Sequence, residues 1–351
     1  MSAHLHHHLQ KSKRIQHIIK NKFKQDQIPK LIAPYTLPHG TLLIPNEERL
    51  ALKLKKLKED GCDNVQILTD YDSTLTTHKH LDGRKAATSF RALQDSRFVP
   101  DHIRTITRKY YEKYSVIELD NQMPHEDKSR HMFDWWEQNL DLFSTIKMHR
   151  EDFIHLVLES RILFRNGVKE LLETQNKLKM PFYIVSGGIT DIIDASFQTI
   201  LNNDEITSEH AHQCWANTKI FSNEFNYAED VMIGYKKPVI HVLNKQQFIY
   251  DKHKNFRKNV IIMGDFIEDV SMVRLSEHET VLNIGYLNCM ETQGHQLEDF
   301  KRMFDLVVLY DGSLQVVNFL LQKLFMDSVQ KEVQEAVDNS ENSTHLKRLL
   351  N

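Results

Sequence analysis

Cysteine is scarce. Cys62, Cys214 and Cys289 stand far apart in 351 residues with no Cys-x-x-Cys pair, which excludes a disulfide framework and a zinc ribbon and fits reduced thiols. Long hydrophobic runs are missing as well. Stretches such as 259-NVIIMG-264 break off within a few positions, far short of the 18 or so residues that a membrane span needs, so no membrane partner is expected. No charge sign dominates: 45 Lys+Arg against 48 Asp+Glu leave −3, which argues against a generic nucleic-acid binder. The start, 4-HLHHH-8, has no apolar segment of the kind that marks a secretory signal. Internal repeats are absent. What is present, 40% hydrophobic and 26% charged residues, excludes collagenous and wholly disordered classes and allows two domains or one domain with an insert. A cytoplasmic, monomeric globular protein is the expectation.

Residues 1–45 form a basic extension, with Lys11, Lys13, Arg14, Lys20, Lys22, Lys24 and Lys30 against Asp26 alone in the first thirty. Ile15, Ile18, Ile19 and Phe23 can line one face of a short helix that would touch anionic lipid or RNA, but a flexible or docked tail is the favoured reading. Residues 326–351 read as a polar C-terminal tail.

From residue 46 the pattern becomes regular. A helix is predicted over 46-NEERLALKLKKLKEDG-61, with Asn46 as N-cap and Gly61 as stop. Five short apolar runs follow, 65-VQIL-68, 182-FYIV-185, 260-VIIM-263, 280-TVLNIG-285 and 306-LVVL-309, without alternation, as expected for parallel strands buried on both faces. Helical segments such as 191-DIIDASFQTIL-201 and 265-DFIEDVSMVRL-275 lie between them, so the fold class is α/β, doubly wound. The first two runs are some 110 residues apart, far more than one crossover needs. Residues 83–168 therefore read as a helical cap domain inserted after the first strand, leaving 46–82 and 169–325 as the α/β core. Residues 217–245 read as a β-hairpin excursion, and 186-SGG-188 as the opening of a helix.

Ligands of such sheets bind beyond the carboxyl ends of the strands. At those ends stand 70-DYDST-74, 186-SGG-188, Lys245 and 264-GDFIED-269. Each alone has an ordinary explanation as an Asx turn, a helix cap or a solvated charge. Together, acids, a hydroxyl, glycines and a lysine at one edge suit phosphate monoester hydrolysis. An aspartate such as Asp70 can attack phosphorus once a hard cation reduces the repulsion between anions. Asp70, Asp265 and the backbone carbonyl of Asp72 can supply oxygens to Mg²⁺. Asp72 can protonate the leaving oxygen and then activate water, Ser186 with nearby amides can hold phosphate oxygens, and Lys245 can neutralise the transferred group.

These motifs, Asp70-Tyr71-Asp72-Ser73-Thr74, Ser186-Gly187-Gly188, the lysine of 241-HVLNK-245 and 264-GDFIED-269, resemble the haloacid dehalogenase superfamily, and within it the cytosolic pyrimidine 5′-nucleotidase (type III) family. The likeness continues through 116-VIELD-120, 132-MFDWWEQ-138, 284-IGYLN-288 and 312-GSLQVVNFLLQKL-324, spanning residues 46–325. It implies a Rossmann-like core, Asp70 as nucleophile, Asp72 as acid/base, and Mg²⁺ on Asp70, Asp72 and Asp265. It also implies phosphate contacts from Ser186, Gly187 and Lys245, with Asp269 supporting Lys245 or the metal. From the cap, Glu118 would recognise the base, Trp136 would stack on it, and Asn139 stands where the family has a substrate-contacting serine. Other departures are Tyr71 for Phe, Gly187 for Ala and Phe266 for Ser. The implied substrates are nucleoside 5′-monophosphates, CMP and UMP first, with 7-methyl-GMP a close second.

Overall fold

The computed structural model describes residues 42–118, 120, 122–201 and 217–326. The basic extension up to residue 41, the polar tail from 327, Cys214 and Leu119 lie outside these residues. The first helix, α1 (Glu47–Asp60), forms as its caps dictate: the Asn46 side chain accepts the Arg49 N–H, and Gly61, at φ 76°, ends it in a conformation that costs glycine little.

Among the described residues nine strands follow in chain order: β1 (Leu42–Leu43), β2 (Val65–Thr69), β3 (Phe182–Ile189), β4 (Thr218–Asn223), β5 (Phe225–Ala228), β6 (Val231–Tyr235), β7 (Asn259–Gly264), β8 (Thr280–Leu287) and β9 (Leu306–Leu309). Seven of them make one sheet in the order β1-β9-β8-β7-β2-β3-β4, parallel except for the two-residue β1 at one edge. The sheet is covered on both sides, which is why its strands lack polar alternation. Ile67, Ile184, Ile261 and Met263 face α1 and α6 (Val168–Lys177), while Leu68, Val185, Val260 and Ile262 face α8 (Lys245–Lys252).

From β2 the chain builds outward through β3 to β4, then returns to lay β7, β8 and β9 on the other side of β2. The reversal between β2 and β7 is the switch point at which doubly wound sheets bind ligands. Thr69 pairs with Met263, and the Asp70 N–H donates to the Met263 carbonyl at 2.9 Å, so Asp70 and Asp265 leave the sheet side by side.

Between β2 and α6 lie the helices of the insert: α2 (Ser89–Gln94), α3 (Asp101–Glu118), α4 (His125–Ser144) and α5 (Arg150–Glu159). Leu93, Leu140, Phe143, Phe153 and Ile154 form an apolar centre shared with Phe225 and Met232 of the β5–β6 hairpin and with Ile192 of α7 (Thr190–Leu201). Its two connections to the core run side by side: Thr77 N–H donates to the Leu163 carbonyl at 2.8 Å and Arg165 N–H to that of Leu75 at 2.8 Å.

Three local expectations are corrected. The hairpin is shorter than 217–245: Thr218–Asn223 pairs with β3 as the sheet's edge strand, and Lys245 opens α8. Ser186-Gly187-Gly188 continues β3, with a register shift after Val185, and α7 starts only at Thr190. The stretch 265–275 is not an α-helix but tight 3₁₀ turns over Ile267–Met272 and Leu275–Glu277, the first opened by the Asp269 carboxylate accepting the Phe266 N–H at 3.1 Å.

Candidate active site

The carboxyl edge of β2, β3 and β7 gathers the predicted core residues. Lys245, at the start of α8, is buried and donates from Nζ to Asp70 Oδ1 at 2.7 Å and to Asp269 Oδ1 at 2.7 Å. Asp269 thus touches Lys245 as expected, and Gly264 lets it approach: a Cβ there would stand 2.4 Å from the Asp269 Cβ. Asp72 turns to the insert instead. Its Oδ1 accepts the backbone N–H of Ser89 at 2.7 Å and its Oδ2 the Ser89 hydroxyl at 2.8 Å. Ser186 is buried, its Oγ accepting the Gly188 N–H at 3.0 Å, and the Gly187 carbonyl accepts from Asn223 at 2.8 Å.

Burial dominates the electrostatics. It pushes Asp70 up to about 7, helped by the charges of Asp269 and Asp72 and opposed by Lys245. Burial likewise pushes Asp72 up to about 6 against the two Ser89 bonds. Asp265 is raised by burial and then by Asp70 and Asp269. Burial alone would lower Lys245, but Asp269 and Asp70 outweigh it and hold the ammonium firmly charged. One ammonium therefore serves three buried carboxylates. Oxygens of Asp70, Asp265 and Asp269 come within 4.8 Å of one another, a hard, charge-rich donor set that fits a divalent cation. The third side chain in this cluster is Asp269, while both carboxylate oxygens of Asp72 are taken by Ser89.

Arg165 was not singled out in the sequence. Wholly buried, it donates from Nε to the Thr74 carbonyl at 2.8 Å, from Nη2 to those of Ser73 at 2.6 Å and Thr76 at 3.2 Å and to Asn288 Oδ1 at 3.0 Å, and from Nη1 to the Gly312 carbonyl. Asp311 is its ion-pair partner at 3.2 Å. This fork ties the turn after Asp70 to the ends of β8 and β9. It also stabilises Ser73, whose φ of 58° costs an L-residue roughly 1 kcal/mol. A lone arginine inside the apolar run 162-ILFRNG-167 is the signal that would have found it; Thr88-Ser89 ahead of a helical run is the corresponding signal for Ser89.

In the insert, Glu118 is the last residue of α3 and half-buried. Burial pushes it up to about 7, the neighbouring Glu268 adds to this, and Lys128 opposes. Glu268 belongs to the loop that carries Asp265 and Asp269, so a carboxylate at the end of α3 and one from the turn after β7 share one electrostatic neighbourhood. The adjacent tryptophans part as helix geometry requires. Trp135 is buried and stacked on Tyr114 at 5.8 Å, whereas Trp136 is half-buried with its ring edge-on to Phe90 at 5.4 Å. Asn139 is buried; its Nδ2 donates to the Trp135 carbonyl at 2.8 Å and its Oδ1 finds no partner among the described residues.

Acids at the switch point of a doubly wound sheet, answered by a lysine and overlain by an insert that starts right after the first core strand, define a haloacid dehalogenase-fold hydrolase. The chain belongs to the pyrimidine 5′-nucleotidase (UMPH-1) family, whose sequence profile matches residues 73–325, and it is a 5′-nucleotidase, a phosphoric monoester hydrolase. It is 28% identical over 301 residues to the 7-methylguanosine phosphate-specific 5′-nucleotidase of Gallus gallus, covering 83% of this chain and 99% of that protein. The enzyme of the same name from Homo sapiens is 28% identical over 306 residues, covering 85% and 97%. The fold matches the crystal structure of cytosolic 5′-nucleotidase IIIB bound to cytidine with a TM-score of 0.68 at 22% identity, over 86% of this chain and 98% of that one. The profile match begins just after Asp72, so the place of Asp70 and Asp72 in the site rests on the geometry.

Proposed function

We propose that this 5′-nucleotidase is Mg²⁺-dependent and hydrolyses pyrimidine and 7-methylguanosine 5′-monophosphates through an aspartyl-phosphate on Asp70. The observation that carries the reading is the buried group of Asp70, Asp265 and Asp269 with Lys245 bonded to two of the three. Asp70 and Asp265, with the backbone carbonyl of Asp72, would hold the Mg²⁺, which when bound supplies positive charge against the phosphoryl oxygens. The Asp70 oxygen that does not hold the cation attacks phosphorus and the P–O5′ bond breaks. Asp72 protonates the departing nucleoside oxygen, then takes a proton from the water that cleaves the acyl phosphate, releasing phosphate and restoring Asp70. Ser186, the Gly187 amide and Lys245 orient the phosphoryl group, and Asp269 keeps Lys245 in place.

Residues 83–168 act as the cap. Glu118 accepts hydrogen bonds from the base and Trp136 offers its face. The nearness of Glu118 and Glu268 favours a base with positive charge, which among these substrates is 7-methylguanine; cation–π stacking would add roughly 0.5–2 kcal/mol. The buried Oδ1 of Asn139 is an acceptor within the cap and suits a supporting place in the same pocket. Among the described residues no helix is long and apolar enough to cross a membrane, and we take the protein as a cytoplasmic monomer. The test is kcat/KM for CMP, UMP, AMP and 7-methyl-GMP on wild type, Glu118→Ala and Trp136→Ala. Glu118→Ala should raise KM for CMP and 7-methyl-GMP, and Trp136→Ala should weaken 7-methyl-GMP more than CMP. If AMP is the best substrate, or neither substitution alters the ranking, the cap assignment fails.

A further inference from the structure

We infer that Ser89, the first residue of the insert's first helix, is the positioning residue for Asp72, so that the insert itself aims the group that protonates the leaving nucleoside. This deepens the proposed reaction and rests on it.

Asp72 stands on the core and Ser89 on the insert, seventeen positions later, yet they make a two-point contact at 2.7 and 2.8 Å. An aspartate carboxylate turns freely about its last side-chain bond. Two donors from one residue, one on each oxygen, fix both its direction and its plane. The Ser89 hydroxyl is not needed for the helix start: Thr88 is the N-cap, its side chain accepting the Arg91 N–H at 3.1 Å. Ser89 is fully buried, so water does not compete for this hydroxyl.

Gly188 makes the contact possible. A Cβ built there would stand 2.1 Å from Ser89 Oγ, 3.2 Å from Asp72 Oδ2 and 3.1 Å from Ser186 Oγ. The end of β3, the turn after β2 and the start of α2 therefore meet at one point with no space for a methyl group. Ser186, assigned to the phosphate, and Asp72, assigned to the leaving oxygen, are held in register by that meeting.

Ser89→Ala keeps the backbone bond to Oδ1 and removes only the bond to Oδ2. On a nucleoside 5′-monophosphate it should lower kcat/KM by about 10- to 100-fold with KM changed less than about threefold, a part of the 10²–10⁴-fold that a general acid supplies. The effect must pass through Asp72: in an Asp72→Asn background the same substitution should change kcat/KM less than about threefold. p-Nitrophenyl phosphate, whose leaving group needs no proton, should lose less than about threefold in Ser89→Ala, because kcat/KM stops at departure of the first product. An unchanged kcat/KM on the nucleotide, an equal loss in both Asp72 backgrounds, or an equal loss on both phosphates would overturn the inference. A wild-type protein inert towards every nucleoside monophosphate would instead refute the proposed function, so the two failures are distinguishable.

Discussion

Lys245→Met tests the electrostatic logic of the site without a substrate. The side chain keeps its length and loses its charge, leaving Asp70 and Asp269 buried without the ammonium bonded to both. Lys245 Nζ lies 2.7 Å from both Asp70 and Asp269, and removing one partner of a buried pair typically costs about 3–5 kcal/mol. At about 1–2 °C per kcal/mol for a chain of this size, the melting temperature at pH 8 without divalent cation should fall by roughly 3–10 °C. The loss must depend on pH. Asp70 already titrates near 7 in the folded protein, against about 4 when unfolded, so the folded state holds its proton more tightly. A carboxyl raised in this way contributes stability that is fully present below about pH 4 and declines as pH rises through about 7. Losing Lys245 removes the charge that opposes the rise in Asp70 and Asp265, so at pH 5, where Asp70 is protonated, the difference from wild type should shrink to less than half. Millimolar Mg²⁺ at pH 8 should restore part of the loss, about 2.7 kcal/mol at one hundred times its Kd. Differential scanning fluorimetry at the two pH values, with and without Mg²⁺, measures all of this. An equal fall at pH 5 and pH 8 with no response to Mg²⁺ would show that Lys245 is a packing residue and that the carboxylate cluster is not the seat of the chemistry.

Asp70→Asn, nearly isosteric, should retain the fold by circular dichroism and lose essentially all phosphate release; near-normal turnover in the purified variant would exclude the nucleophile. EDTA should abolish activity and Mg²⁺ restore it, with Ca²⁺ a poor substitute because its coordination is larger and looser, and full activity in excess chelator would remove the metal from the reading. The two neighbouring glycines should differ: Gly187→Ala places its methyl 3.6 Å from the nearest atom, His241 Cα, and should shift the melting temperature little, whereas Gly188→Ala drives one to 2.1 Å from Ser89 Oγ and should lower both stability and turnover. Arg165→Lys keeps the charge but not the fork, so carbonyls of the turn after Asp70 lose their donors; the urea midpoint should fall by the equivalent of about 2–4 kcal/mol, and an unchanged midpoint would mean the fork does not hold the turn.

Local physics was legible in the amino-acid sequence. Asn46 and Gly61 bounded α1 as written, and five apolar runs became the parallel strands, because caps and burial on two faces are short-range demands. The motif order placed Asp70, Lys245, Asp265 and Asp269 together, since a doubly wound sheet brings its strand ends to one edge whatever the intervening lengths. Contacts between segments distant in the chain were not legible. Thr218–Asn223 alternates like a hairpin strand, and only its parallel pairing with β3 makes it the edge of the main sheet. Ser186-Gly187-Gly188 has the composition of a helix start, but pairing carries β3 through it. Ser89 on Asp72, Arg165 beneath the turn after Asp70 and Glu268 beside Glu118 depend on how the insert docks on the core. No periodicity encodes that docking. It is decided by close approach, at Gly188 above all, where the lack of a single methyl group lets three separate parts of the chain reach the same few ångströms.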